Sequence, residues 1–168
     1  MGAWGKCNFK DLKDFQTRMN RMSKQNVGEF CELAAKELAA RLLAKVIKRT
    51  PVGAYPAETG KKGGTLRRGW TAKSEREAEL TAVLGGGSGA KAFADSLRVY
   101  KSGDTYEIEI VNPVTYSSYV EFGHRTRNHT GWVDGRYMLT ISEQEIDSKA
   151  GAILEAKLKK YLEGLMNP

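Results

Sequence analysis

The sequence predicts an α+β fold: two long helices packed on one face of a small, mostly antiparallel β-sheet, with long mobile loops between them. Three observations predict it. Apolar residues recur at helical spacing over Val27–Arg49 and again from Met138 to the C-terminal end. Between these stretches, Ser96–Lys101 and Thr105–Asn112 alternate apolar and polar residues around Ser102-Gly103-Asp104, the pattern of a hairpin. The connecting stretches are rich in glycine and proline.

The first long helix is carried by Val27, Phe30, Cys31, Ala34, Leu38, Leu42 and Val46, with Ala35, Ala39, Ala40 and Ala44 adding propensity. Lys45, Lys48 and Arg49 suit the negative end of its dipole, and Thr50-Pro51 ends it. Ahead of it, Phe9, Leu12, Phe15, Met19 and Met22 form one apolar stripe on a short charged helix. Such a helix cannot bury its stripe alone. The expected organisation is an N-terminal helical arm over 1–26 and a single α+β domain over 27–168.

After Pro51 the stretch TPVGAYPAETGKKGGTLRRGW reads as a long loop carrying Lys61, Lys62, Arg67 and Arg68. Leu66–Ala72 is expected as a strand. Ser74-Glu75-Arg76-Glu77 has capping-box spacing and opens either a helix to Leu84 or, in competition, a strand over Glu79–Leu84. Gly85–Gly89 is a flexible connector that lacks the Lys-Ser/Thr ending of a phosphate loop. Tyr116–Phe122 predicts one or two helical turns stopped at Gly123. In the final helix Ile146, Ala150, Ile153, Leu154, Leu158, Tyr161, Leu162 and Leu165 form the stripe, with Thr140 or Ser142 as its cap.

The densest contact-type composition lies between Val114 and Met138. Tyr116, Tyr119, Phe122, Trp132 and Tyr137 are interleaved there with Gly123, Gly131, Gly135 and with Arg125, Arg127 and Arg136. Aromatic rings offer area at low entropy cost, and arginine offers planar hydrogen bonding. The net charge is +7 in 168 residues. That is compatible with nucleic acid, with an acidic protein surface or with no specific partner, and charge alone does not choose among them. Cys7 and Cys31 stand in no metal-type spacing, and no apolar run reaches membrane-spanning length. His124 and His129 would need further ligands for zinc, for which Glu121 and Asp134 are near in sequence but in no defined zinc arrangement, and Ser117 and Ser118 lack the frame of a hydrolase elbow. No cofactor, no metal and no catalytic group is expected; a small hydrolase or nuclease built on the two histidines is the enzymatic rival.

Thr50-Pro51-Val52, Thr59-Gly60 and Leu66-Arg67-Arg68-Gly69-Trp70, in that order, resemble the "TPV…TG.LR.SW" signature of the tail-completion, or head–tail joining, minor structural proteins of long-tailed phages and prophages. Asn112, Tyr116, Tyr119-Val120-Glu121 and Gly123 resemble that family's "N…Y..YVE.G" box. Gly135-Arg136-Tyr137-Met138 match its aromatic-Gly-Arg step before a final helix. The resemblance spans roughly residues 27 to 165. The chain departs from it in GAYPAE between Val52 and Thr59, in Lys61–Gly64, and in an apparent insertion over Thr71–Ala94.

The resemblance implies a non-enzymatic virion component of the tail or neck, assembled in the bacterial host cytoplasm. Its partners would be further copies of itself in a ring, and tail tube, terminator or head-connector proteins. DNA would pass only in transit and without specificity, and no membrane would be involved. The expected partner-binding residues are Lys61, Lys62, Arg67, Arg68, Trp70, Tyr116, Tyr119, Glu121, Phe122, Arg125, Arg127, Trp132 and Arg136. The alternatives are a nucleic-acid-binding module using the basic loop, or a different neck ring such as a tail terminator or head connector.

Overall fold

A computed structural model describes residues 24–60 and 62–166. The apolar stripe over 9 to 23 and the position of Lys61 lie outside the described residues. Helix α1 runs Lys24–Arg49 and helix α6 runs Met138–Met166. At about 1.5 Å per residue these are rods of roughly 39 and 44 Å. Between them come α2 (Thr65–Gly69), α3 (Glu75–Leu84), α4 (Ala90–Ser96), β1 (Tyr100–Ser102), β2 (Thr105–Glu107), α5 (Ser117–Phe122), β3 (Gly123–Arg125) and β4 (Trp132–Asp134).

The α+β class stands, with the strands divided between two antiparallel ribbons, β1–β2 and β3–β4. The first is the expected hairpin, shorter than its alternating pattern, with Tyr100 opposite Glu107 and Ser102 opposite Thr105. Beyond Glu107 the chain continues without a strand partner, and Ile108 and Ile110 turn toward the core instead.

Helix α1 is the spine. It packs against α4 on one side and α6 on the other. Ala34 and Ala39, both buried, allow close approach. The two long helices run antiparallel: Arg49 and Lys45 meet Glu145 near one end, and Phe30 meets Tyr161 near the other at 5.3 Å between ring centroids. Lys45 Nζ and Arg49 Nη2 lie 2.5 and 2.6 Å from the Glu145 carboxylate. Hydrogen bonds from these two cations, Lys45 first, lower the pKa of Glu145 to about 2. The pair is partly exposed, so it fixes helix register more than it adds stability.

The core gathers where α1 ends. Leu43 and Val46 of α1, Leu66 and Trp70, Ala72, Ala78, Ala94, Val114 and Met138 form one buried cluster. The segment expected as a strand at Leu66–Ala72 is helical over Thr65–Gly69. Leu66, Gly69 and Trp70 are buried while Arg68 is exposed; positions i, i+3 and i+4 share one face of a helix, whereas a strand would bury Arg68 with Leu66 and Trp70. The ambiguity at Glu79–Leu84 resolves as helix. Ser74 accepts a hydrogen bond from Glu77 N at 3.2 Å, and the Glu77 carboxylate accepts one from Lys73 N at 2.8 Å. Helix α4 was not foreseen; its sequence AKAFADS follows a glycine run and buries only Ala94.

Candidate assembly surface

Two of the recurrent sequence boxes meet inside the fold. Thr50, fully buried at the end of α1, is their joint. Its hydroxyl donates to Val46 O at 2.6 Å and accepts from Trp70 Nε1 at 2.8 Å. Its carbonyl accepts two hydrogen bonds from the Arg67 guanidinium, at 3.0 and 2.6 Å. A cation on a carbonyl at a helix C-terminus is where the dipole favours it. Asn112 closes the joint. Its amide donates to Leu66 O at 2.9 Å, and its Oδ1 would lie 2.2 Å from a Cβ placed on Gly69. Only glycine leaves room there.

Glu121 organises the second joint. It is 6% exposed, and its carboxylate accepts from Leu139 N at 3.0 Å, from Thr140 N at 2.9 Å and from the Thr140 hydroxyl at 2.8 Å. These backbone groups belong to the first turn of α6, which has no intrahelical acceptor for them. Glu121 therefore acts as an N-cap supplied from another element, where an anion is also favoured by the dipole. This corrects the expected caps. Thr140 donates into the cap, while Ser142 bonds back to Met138 O at 2.6 Å.

The backbone completes the clamp. Arg136 N donates to Val120 O and Tyr137 N to Glu121 O, at 2.8 and 3.0 Å. A Cβ on Gly135 would meet Glu121 O at 2.2 Å, so this crossing also requires glycine. Tyr137 takes a positive φ of 47°, which a bulky residue adopts only when its surroundings impose it.

From this clamp the β3–β4 ribbon projects. Its register pairs His124 with Val133 and Arg125 with Trp132. The stretch His124–Asp134 is thus a hairpin. Side chains alternate along strands, so His124 and Val133 share one face, and Arg125 and Trp132 the other. Both faces are exposed. Tyr119, Phe122 and Trp132 are 59%, 59% and 58% exposed. Tyr119 meets His124 edge-on at 5.9 Å, which joins α5 to the ribbon. Arg125, Arg127 and Arg136 have no side-chain partner among the described residues.

The expected contact residues are therefore not gathered in one place. Tyr119, Phe122, Trp132, Arg125, Arg127 and Arg136 are exposed on α5, on the ribbon and on its flanks. Trp70 and Glu121 are buried and hold the subunit together, so neither is available as a contact. Arg67 is tied to Thr50, Arg68 donates to Gly86 O at 2.8 Å, and Lys62 donates to Val83 O at 3.2 Å. Tyr116 lies apart, beside Tyr55. Burial, then the neighbouring Tyr55, Glu75 and Glu79, raise its pKa. Val133 and Tyr137, both 44% exposed, add apolar area beside these residues; neither is among the contact residues expected from sequence. His129 sits in the ribbon's turn with φ 57°. No group of three His, Cys, Asp or Glu side chains that could hold a metal is assembled among the described residues.

Residues 13–123 match the family model HK97-gp10-like, described as "Bacteriophage HK97-gp10, putative tail-component". The chain belongs to this family. The match runs through α1 to the Glu121 clamp and stops at Gly123, where the ribbon begins. No curated protein and no solved structure matches the chain. Membership in the HK97-gp10-like family makes this chain a phage tail component with a structural role in the virion, among other virion proteins. No helix among the described residues is long and apolar enough to cross a membrane.

Proposed function

We propose that this HK97-gp10-like chain is a non-enzymatic subunit that completes the phage tail or neck by assembling into a ring, and so permits head–tail joining. The observation that carries the reading is the β3–β4 ribbon. A two-stranded ribbon of three residues per strand has little stability of its own, and this one buries neither face in its own subunit. Trp132, Arg125 and Arg127 on it, with Tyr119 and Phe122 on the adjoining helix, are residue types that concentrate binding energy at interfaces. A glycine crossing and a buried carboxylate seat it against the two elements it joins, so the fold presents the ribbon outward.

Ring contacts would be heterologous, one patch meeting a different patch on the next copy. Arg125, Arg127 and Arg136, without side-chain partners among the described residues, call for an acidic surface across that contact, and a protein surface serves better than DNA. Tight phosphate contacts would hold DNA that has to pass through. Electron microscopy of particles produced without this chain tests the role. Filled heads and separate tails should accumulate unjoined. Joined, infectious particles in normal number would overturn the proposal.

A further inference from the structure

An apolar trough of about 300 Å³ lies between α1, α6 and the strand-like segment after β2. Its walls are the half-buried Leu38, Leu42, Ile108 and Ile110, over a floor that includes Ile146. Its rim carries Glu143 and Asp147, both exposed and neither in an ion pair among the described residues. Apolar walls with an unpaired acidic rim call for a basic amphipathic segment.

We infer that the trough is the docking site for residues 9–22 of the same chain. Three observations on the molecule point to this occupant. The sequence there carries Phe9, Leu12, Phe15, Met19 and Met22 at spacings of three and four, so its stripe needs an apolar partner. Lys10, Lys13, Arg18 and Arg21 outnumber Asp11 and Asp14, giving the charge opposite to the rim. Its tether is in the right place. The described chain begins at Lys24, and Tyr106, at the trough's near end, has its hydroxyl 3.3 Å from where a Cβ of Gly28 would stand, one helical turn away.

The lengths agree as well. Gly28 to Leu42 spans about 21 Å of helix, and the fourteen residues Phe9–Met22 span about the same. A segment doubling back at Lys24 lays Met22 near Gly28 and Leu12 near Leu38. Tethering holds it at an effective concentration in the millimolar range, which favours the chain's own segment over that of a second copy.

Two measurements on the full-length chain test this. In the first, Leu12→Asp and Phe15→Asp are combined, and side-chain accessibility is read by hydroxyl-radical footprinting. Oxidation of Leu38, Leu42, Ile108 and Ile110 should rise several-fold, while that of Tyr119 and Trp132 stays unchanged. In the second, Leu12→Cys and Leu38→Cys are placed in a chain whose Cys7 and Cys31 are serine. The disulfide should form within monomers. Unchanged footprints in the first experiment overturn the inference. So does a disulfide that forms between separately substituted copies, or one that does not form at all.

Discussion

Glu121→Ala is expected to lower the stability of the subunit by about 2–4 kcal/mol, a fall in melting temperature of roughly 5–15 °C. The change removes an acceptor with three hydrogen bonds from a site that is 6% exposed. Two backbone N–H groups in the first turn of α6 are then left without partners in the protein, and water reaches them poorly. Truncating an ordinary N-cap costs about 1 kcal/mol; the charge and the burial raise the figure here. Glu121→Gln keeps one acceptor oxygen and should cost about half as much. Thermal unfolding followed by circular dichroism measures both. A loss below about 0.5 kcal/mol in Glu121→Ala would mean that the carboxylate is not the cap.

Trp70→Ala should cost about 3–5 kcal/mol, the usual range for emptying a large aromatic site. The ring is 4% exposed within the cluster of Leu43, Val46, Val114 and Met138. Its indole also supplies the hydrogen bond to Thr50 that ties α2 to the end of α1. Trp70→Phe separates the two contributions. It keeps most of the packing and loses the donor, for about 1–2 kcal/mol. Chemical denaturation of the three chains gives the comparison. Equal stability of Trp70→Ala and the unchanged chain would place the indole outside the core.

These two residues also show what the sequence could and could not convey. Trp70 and Glu121 stand in stretches whose composition matches a contact surface, and local composition does not report burial. For Trp70 the signal was present in the spacing to Leu66 and in Gly69, which together imply a tight helical turn against another backbone. For Glu121 no local signal exists, because its partners at Leu139 and Thr140 are eighteen and nineteen residues away.

The two long helices were legible because a 3.6-residue period sustained over many turns has few competing readings. The Ser74 capping box was legible for the same reason that it works, being wholly local. Helix α4 was not, since seven residues with one buried alanine carry almost no period. The β3–β4 ribbon leaves no signal in the sequence, because neither face is buried and its strands therefore show no alternation. The aromatic and arginine content of that ribbon was nevertheless apparent from the chain alone. Its projection from the body became visible only through the Gly135 crossing and the Tyr137 backbone.

The claim that the projecting aromatics serve assembly and not folding is tested most directly by Trp132→Ala, compared in two readouts. Trp132 is 58% exposed, so truncation should move the melting temperature by no more than about 2 °C. As an interface anchor it should cost at least about 2 kcal/mol in binding, and incorporation into purified tails should drop about tenfold or more. A subunit that melts normally yet is absent from tails is the predicted result. Normal incorporation of Trp132→Ala, or a collapse of its fold, would contradict the account.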